Sequence, residues 1–489
     1  MFAHLSRLLR HSVVYGMSET ISRGTGFVLI FIYARLLTDS DIGIRTLVYG
    51  ASSFVTLFYT LGLDNAFLRY FMDKENEHLK DRVLSTAFLF TVCAGTCFFM
   101  SAFFFSETFS SIIVRNESYS YIIRLIFTVM LLDTAVIYPM LILRAERRLA
   151  YYSLVSLSRF VLFISLNLIL VWWLDRGLKG IFEANLVTVA IIVMLLSPVM
   201  KEYFTGRLSL KLLKRMLLFG IPTIFTMLFM RVIDISDRYL VEHFVDKAAV
   251  GRYHVAYMLG MVGIMVFVNS FRTAWHPFFL SLKDSPEAGK LFARVATYYA
   301  VFICMVYLGI ILFRQEIFQF YAPQHPVGLS DIIPFVSLAY LLYGFYIIML
   351  AGIFIREKTK FLPLAPMAGA LLNVGFNIFL IPRYGIIGAA ITTVIAYCTM
   401  VFILFAISRK VYRVSYEYGR LGFVLLMTAL LIGIEALFDP GSNVMRYTMK
   451  ISILFVPPLV YWYSGFLRVE ERKKVVQMIN SLLLKFQSG

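Results

Sequence analysis

A glutamate and an arginine sit one helical turn apart inside a long apolar stretch, Glu19-Thr-Ile-Ser-Arg23-Gly24-Thr25-Gly26. Charges in such surroundings cost about 2.5–3.5 kcal/mol each at a bilayer centre, so they face a bundle interior or a watery cavity. Arg231, 208 positions beyond Arg23, again lies in an apolar segment with acids close by, Asp234 and Asp237. A guanidinium stays protonated and can grip the oxygens of a phosphate in pairs, so a cavity lined by arginines suits an anion that cannot cross hydrocarbon unaided. Arg23 and Arg231 are the leading candidates, facing each other across one cavity. Arg159 is third, and Arg272, near the cytoplasmic end of its segment, is a contact at the cavity mouth. The competing reading is internal neutralisation: Glu19 with Arg23 at four residues, and Arg231 with Asp234 at three, are spaced to pair on their own helices. Glu19, Asp133 and Asp234 are the candidates for ion coupling, because a carboxylate among apolar neighbours can take up a proton on one side of a membrane and release it on the other.

Catalytic signals are weak. Asp39-Ser-Asp41 has the spacing that holds a metal and a nucleotide sugar in glycosyltransferases, but it falls on the expected external side and no connection is long enough to complete a site. Gly289-Lys290 is followed by Leu291 and is not a phosphate loop. The seven histidines show no ligand spacing. Cys93, Cys97, Cys304 and Cys398 all fall within apolar runs and read as helical core. No catalytic residue, cofactor or metal is expected.

The elements that must position the charged residues are membrane helices. With 60% hydrophobic and 15% charged residues, and 46 Phe and 29 Tyr, the chain has more apolar surface than a soluble domain could cover. The net charge of +17 does not indicate nucleic acid, since the basic residues form short clusters between apolar runs. Runs of about 20 apolar residues number roughly 14. Lys and Arg concentrate in alternate connections (Arg69 to Arg82, Arg144 to Arg148, Lys201 to Arg215, Arg272 to Arg294, Arg356 to Lys360, Arg409 to Arg420), which by the positive-inside rule places both termini in the cytoplasm. Residues 1–11 are basic and amphipathic and do not read as a cleaved signal.

The offset of 208 recurs beyond the arginines. Gly43 matches Gly251, and Gly177 and Gly180 match Gly385 and Gly388, at equivalent places in the hydropathy pattern. This indicates a duplicated six-helix unit whose copies share one orientation. The expected architecture is an all-α polytopic membrane protein of about 14 transmembrane helices, in two parallel-related six-helix lobes plus two C-terminal helices. Its parts are an amphipathic cytoplasmic N-terminus (1–11), an N-lobe (12–205), a C-lobe (206–410), helices 13 and 14 (411–467) and a basic cytoplasmic tail (468–489). Gly24 with Gly26, Gly220 with Pro222, Gly260 with Gly263, and Pro363 with Pro366 are places where helices could bend and allow the lobes to rock.

Three stretches carry a family resemblance: Arg35-Leu-Leu-Thr-Asp-Ser-Asp-Ile-Gly43 with Leu61-Gly-Leu-Asp64; Phe219-Gly-Ile-Pro222 leading to Asp237-Arg-Tyr-Leu240 and Val250-Gly-Arg-Tyr253; and Leu372-Asn373 through Asn377-Ile-Phe-Leu-Ile-Pro-Arg-Tyr-Gly385-Ile-Ile-Gly388. Over residues 10–410 the chain resembles the polysaccharide exporter branch, the lipid-linked oligosaccharide flippases of the O-antigen type, in the multidrug/oligosaccharidyl-lipid/polysaccharide exporter superfamily. The resemblance implies a flippase of the bacterial cytoplasmic membrane whose substrate is an oligosaccharide on a polyprenyl diphosphate, serving polysaccharide (O-antigen, capsule or exopolysaccharide) biosynthesis by alternating access. It implies membrane lipids, a polysaccharide polymerase and glycosyltransferases as partners, and no nucleic acid. In such a protein Asn167, Asn185, Asn269, Asn373 and Asn377 could line the sugar path, since amides both donate to and accept from hydroxyls, and helix-to-helix hydrogen bonding explains each of them as well. A cation-coupled multidrug exporter of the same superfamily, a peptidoglycan-precursor flippase, and a membrane glycosyltransferase or polymerase remain alternatives.

Overall fold

The computed structural model describes residues 28–73, 79–283, 285–438, 442–469 and 471–473. They are helical almost throughout, and no strand occurs among them. Hydrocarbon offers no partner to a backbone N–H or carbonyl, and a helix satisfies both within its own segment. Ten helices among the described residues are long and apolar enough to cross a membrane, eleven if the pair bent by 46° near Gly62 forms one span.

The first half begins with helix α1, of which residues 28–36 are described, then α2 (Asp39–Thr60) and α3 (Leu63–Met72). It continues through α4 (Lys80–Phe104), the short α5 (Ser106–Val114), α6 (Ser120–Ala145), α7 (Leu149–Asn167) and α8 (Gly177–Tyr203). The second half has α9 (Leu210–Phe244), α10 (Lys247–Ser281), α11 (Ala288–Leu312), α12 (Arg314–Tyr321), α13 (Ile333–Ile355) and α14 (Leu364–Val411). Finally α15 (Tyr418–Leu437) and α16 (Asn443–Tyr463) pack on α11.

Fourteen spans were expected, and the described helices differ from that number for identifiable reasons. The first segment falls largely outside the described residues. The 48 residues of α14 are two helices, because Gly385 breaks the helical path with φ 57° and ψ −138°. Helix α16 carries Arg446, Lys450 and the Pro457-Pro458 pair and is not among those apolar enough to count.

Packing follows the two halves. Helices α4, α6, α7 and α8 pack together in the first, and α9, α10, α13 and α14 in the second. Helix α2 belongs to the first half in sequence yet packs most extensively on α10 of the second, so it forms the seam. Glycines spaced by 208 share local geometry. Gly177 and Gly385 both adopt positive φ, 52° and 57°. Three residues later, a Cβ on Gly180 or Gly388 would lie 3.1 or 2.5 Å from the carbonyl oxygen of Leu170 or Leu380. Gly43 and Gly251 meet each other across the seam, where a Cβ on either would run into the backbone of the opposite helix, Lys247 or Asp39.

Around that contact polar side chains reach from one half to the other. Arg252 approaches Asp39 at 3.4 Å, His325 Nε2 lies 2.8 Å from Asp39, and Arg115 pairs with Glu242 at 3.1 Å. Arg35 donates to the Phe320 carbonyl at 2.7 Å.

Candidate functional site

Two cavities meet at the seam. One, of about 340 Å³, lies between the halves: α1 and α2 contribute Tyr33, Arg45 and Tyr49, and α9, α10 and α13 contribute Arg231, Asp234, Arg238, His254, Tyr257 and Tyr340. The other, of about 470 Å³, lies within the first half, between α1, α2, α6, α7 and α8. Arg45 and Tyr49 line both, so the two chambers share a wall.

The arginines have different fates. Arg238 is buried against the fully buried Asp237 at 2.9 Å, and Tyr253 donates to the other carboxylate oxygen at 2.7 Å. Its guanidinium also lies 4.4 Å from the Tyr257 ring centroid. Arg159 pairs with Asp133 at 3.0 Å in the first-half cavity. Arg45 has no carboxylate partner among the described residues; its guanidinium sits 4.9 Å and 5.1 Å from the rings of Tyr33 and Tyr49, and its Nε is buried without a hydrogen bond. Arg231 lies in the same cavity as Asp234, three residues on, and its charge acts on that carboxylate. Internal neutralisation occurs between the adjacent Asp237 and Arg238, and the charge of Arg231 partly offsets that of Asp234. Asp234 also accepts a hydrogen bond from Tyr397 at 3.2 Å and offers its backbone carbonyl to Arg238.

The other sequence candidates separate clearly. Glu19 and Arg23 lie outside the described residues. Arg272, on α10, lines neither cavity. Asn167, Asn373 and Asn377 are fully buried and serve contacts between helices. Tyr33 donates to Asn167 at 2.6 Å, Ser236 to Asn373 at 2.9 Å, and Asn377 to Asn373 at 3.1 Å, while Thr392 donates to Asn377. Asn269 leaves a buried carbonyl oxygen unpartnered but lines neither cavity. Asn185 is exposed to the first-half chamber and donates to the Tyr49 hydroxyl at 3.1 Å.

Arg45, Arg238 and His254 were not singled out from the sequence. Arg45 stands in Asp41-Ile-Gly-Ile-Arg45, a stretch expected just after an external turn. Helix α2 begins at Asp39, capped by Thr38, so Arg45 lies nearly two turns inside it, on the face it shares with Tyr49 at four residues' spacing. That spacing was the available signal.

With this geometry in hand, relatives can be compared. The model of a family described as polysaccharide biosynthesis protein matches residues 8–283. No curated protein sequence matches the chain. Among solved structures, the lipid II flippase MurJ in an inward closed conformation is similar over 93% of this chain and 100% of its own, with a TM-score of 0.71 and 16% identity. An inward-facing multidrug resistance MATE family transporter of the MOP superfamily covers 84% of this chain and 95% of its own, at a TM-score of 0.64 and 15% identity. A MOP superfamily transporter from Pyrococcus furiosus, described as having a binding pocket of reverse polarity, matches 82% of this chain and 95% of its own, at 0.57 and 15%. At these identities the likeness is one of fold.

Proposed function

Because the chain belongs to the polysaccharide biosynthesis protein family, we propose that it flips an oligosaccharide carried on a polyprenyl diphosphate across the cytoplasmic membrane. Its multi-pass transporter fold supplies the frame. The observation that carries the reading is the pair Arg45 and Arg231: two guanidiniums on opposite halves, lining one cavity, with Arg45 free of any carboxylate partner among the described residues. A diphosphate presents several oxygens to which both can donate, and charge-assisted bonds of this kind are about twice as strong as neutral ones. A cationic drug would be repelled by the same groups. Arg23 is included in the proposal on the strength of its sequence position.

The mechanism we propose is alternating access. The halves meet through Gly43 and Gly251 and through Asp39, Arg252 and His325 at one end, assigned to the external face by the basic residues at the other. Substrate would come in from the cytoplasm, where the termini and the glycosyltransferases lie, and leave towards a polymerase. Asp234, beside Arg231 in the cavity, is the ion-coupling candidate placed where its charge bears on the substrate site.

The test is flipping of a fluorescent polyprenyl-diphosphate oligosaccharide in liposomes by wild type, Arg45→Ala, Arg231→Ala and the double variant, each checked for folding. Loss of flipping in folded single variants is expected. A double variant that flips at the wild-type rate refutes the cationic site, and a wild type inactive on several lipid-linked glycans but active on cationic drugs would establish the exporter reading instead.

A further inference from the structure

The first-half chamber has a lining unlike that of the cavity between the halves. Its aromatic surface comes from Tyr49, Tyr152 and Phe163, and Tyr49 is held in place by stacking on Phe182 at 5.2 Å. Over this surface stand polar groups with unused capacity. Asn185 gives one amide hydrogen to Tyr49, and its carbonyl oxygen makes no hydrogen bond to a described residue. Ser156 is largely buried, yet its hydroxyl makes no hydrogen bond to a described residue, whereas Ser52, Ser53, Thr56 and Thr188 bond back to their own helices. Arg159 uses one guanidinium nitrogen on Asp133 and has others free to donate, with its side chain 42% exposed.

Ring faces beside donors and acceptors of both kinds match a pyranose, which has apolar C–H faces and a rim of hydroxyls. Other ligands fit less well. A lipid tail would strand the polar groups unpaired, which costs free energy. The volume of about 470 Å³ lies within the range of small-molecule sites, roughly 300–1,000 Å³. Arg45 lines both chambers, so a diphosphate held by it stands at the boundary of the first-half chamber.

We propose that the first-half chamber is a binding subsite for the sugar attached directly to the diphosphate, with Asn185 and Ser156 reading its hydroxyls and Tyr152 stacking on its face. This rests on the flippase reading and divides its substrate between two chambers: diphosphate at Arg45 and Arg231, first sugar at Asn185 and Ser156. The protein would then discriminate carriers by their first sugar.

Binding to purified full-length protein in detergent separates the two assignments. The probes are a short-chain polyprenyl diphosphate without sugar and the same carrier bearing one hexose or one N-acetylhexosamine. Wild type is expected to bind at least one glycosylated carrier roughly tenfold more tightly than the bare one, the order of gain from one or two hydrogen bonds. Asn185→Ala and Ser156→Ala should each remove most of that preference while leaving the bare carrier's affinity within about twofold, which also reports that they are folded. Arg231→Ala should weaken all carriers together. Equal binding of bare and glycosylated carriers by wild type overturns the sugar subsite and leaves the flippase reading standing. So does a loss in Asn185→Ala and Ser156→Ala that is the same for every carrier. Failure of wild type to bind any carrier overturns both.

Discussion

Replacing Gly251 with alanine places a methyl group where α2 runs, and the size of the clash sets the expected effect. The new Cβ would lie 2.7 Å from the Asp39 carbonyl carbon and closer still to its oxygen, against an ordinary contact of 3.4 Å or more, so the two backbones must part by at least about 0.7 Å. A backbone cannot swing aside as a flexible side chain can. Overpacking of this kind costs about 1–3 kcal/mol. If the lobes rock, the arrangement in which α2 and α10 touch bears that penalty and the arrangement in which they part does not, so the equilibrium should move about 5- to 150-fold towards parting. The readout is a single cysteine at Met261, which lines the cavity between the halves, in a protein whose four native cysteines are replaced. A membrane-impermeant maleimide is applied from the side bearing Asp39 and Arg252. Labelling should accelerate at least fivefold in Gly251→Ala, the lower end of that range. Gly375→Ala is the control, since a Cβ there meets nothing within 4 Å. Unchanged labelling in a Gly251→Ala protein of wild-type thermal stability would refute the reasoning, because the methyl would then have been absorbed without separating the halves.

Other perturbations follow from the ion pairs. Arg238→Met leaves Asp237 buried without its counterion and should destabilise the protein by about 3–5 kcal/mol, whereas Asp237→Asn with Arg238→Met should recover much of the loss; thermal unfolding in detergent compares them. Lys450→Met removes the buried partner of Glu316 and should lower the unfolding temperature more than Lys283→Met, whose pair with Glu357 is exposed. Burial alone would raise the Glu471 carboxyl, but hydrogen bonds from the Tyr298 hydroxyl, the Arg468 amide and Arg420 outweigh it and hold its pKa below the usual glutamate value. A depressed carboxylate stabilises above its unfolded pKa and loses that contribution as pH falls through the folded one. Protection against hydrogen exchange, relative to the intrinsic rate at each pH, around residues 417–420, 468 and 471 should therefore fall in acid in wild type and be less sensitive to acid in Glu471→Gln.

The fold was legible because it rests on run length and period. Apolar stretches of spanning length announce helices, and the glycines 208 apart occupy matching turns and a shared contact, since only residues without a side chain fit where backbones pass this closely. The site was legible in part. Arg159 and Arg231 stand out because they interrupt apolar runs, and both line cavities. Arg45 does not stand out, because it follows Asp39 and Asp41 and reads as part of a connection until the start of α2 is known. The asparagines show the limit in the other direction. An amide inside a membrane helix has the same composition signal whether it faces a cavity, as Asn185 does, or another helix, as Asn373 and Asn377 do. Which face is which depends on tertiary packing that no local pattern encodes.

The charge arrangement bears on why these arginines stand where they do. Where neutralisation would serve stability, the chain provides it: Asp237 is adjacent to Arg238, and Asp133 faces Arg159. A design concerned with stability alone would treat Arg45 in the same way, or would replace it with an apolar residue, since a charge at membrane depth costs about 2.5–3.5 kcal/mol. Arg45 is instead steadied by the faces of Tyr33 and Tyr49, contacts that leave guanidinium hydrogens free to donate. Such a group is held in position without being satisfied. An arriving anion finds donors already oriented and displaces no carboxylate, so its binding free energy is not spent on opening an internal pair. Moving a carboxylate into this position tests that argument: Tyr49→Glu, one turn from Arg45, should give Arg45 a partner and weaken binding of a bare polyprenyl diphosphate at least tenfold, because the anion must now compete with a fixed charge. Undiminished binding in a folded Tyr49→Glu protein would place the diphosphate elsewhere and remove the role assigned to Arg45.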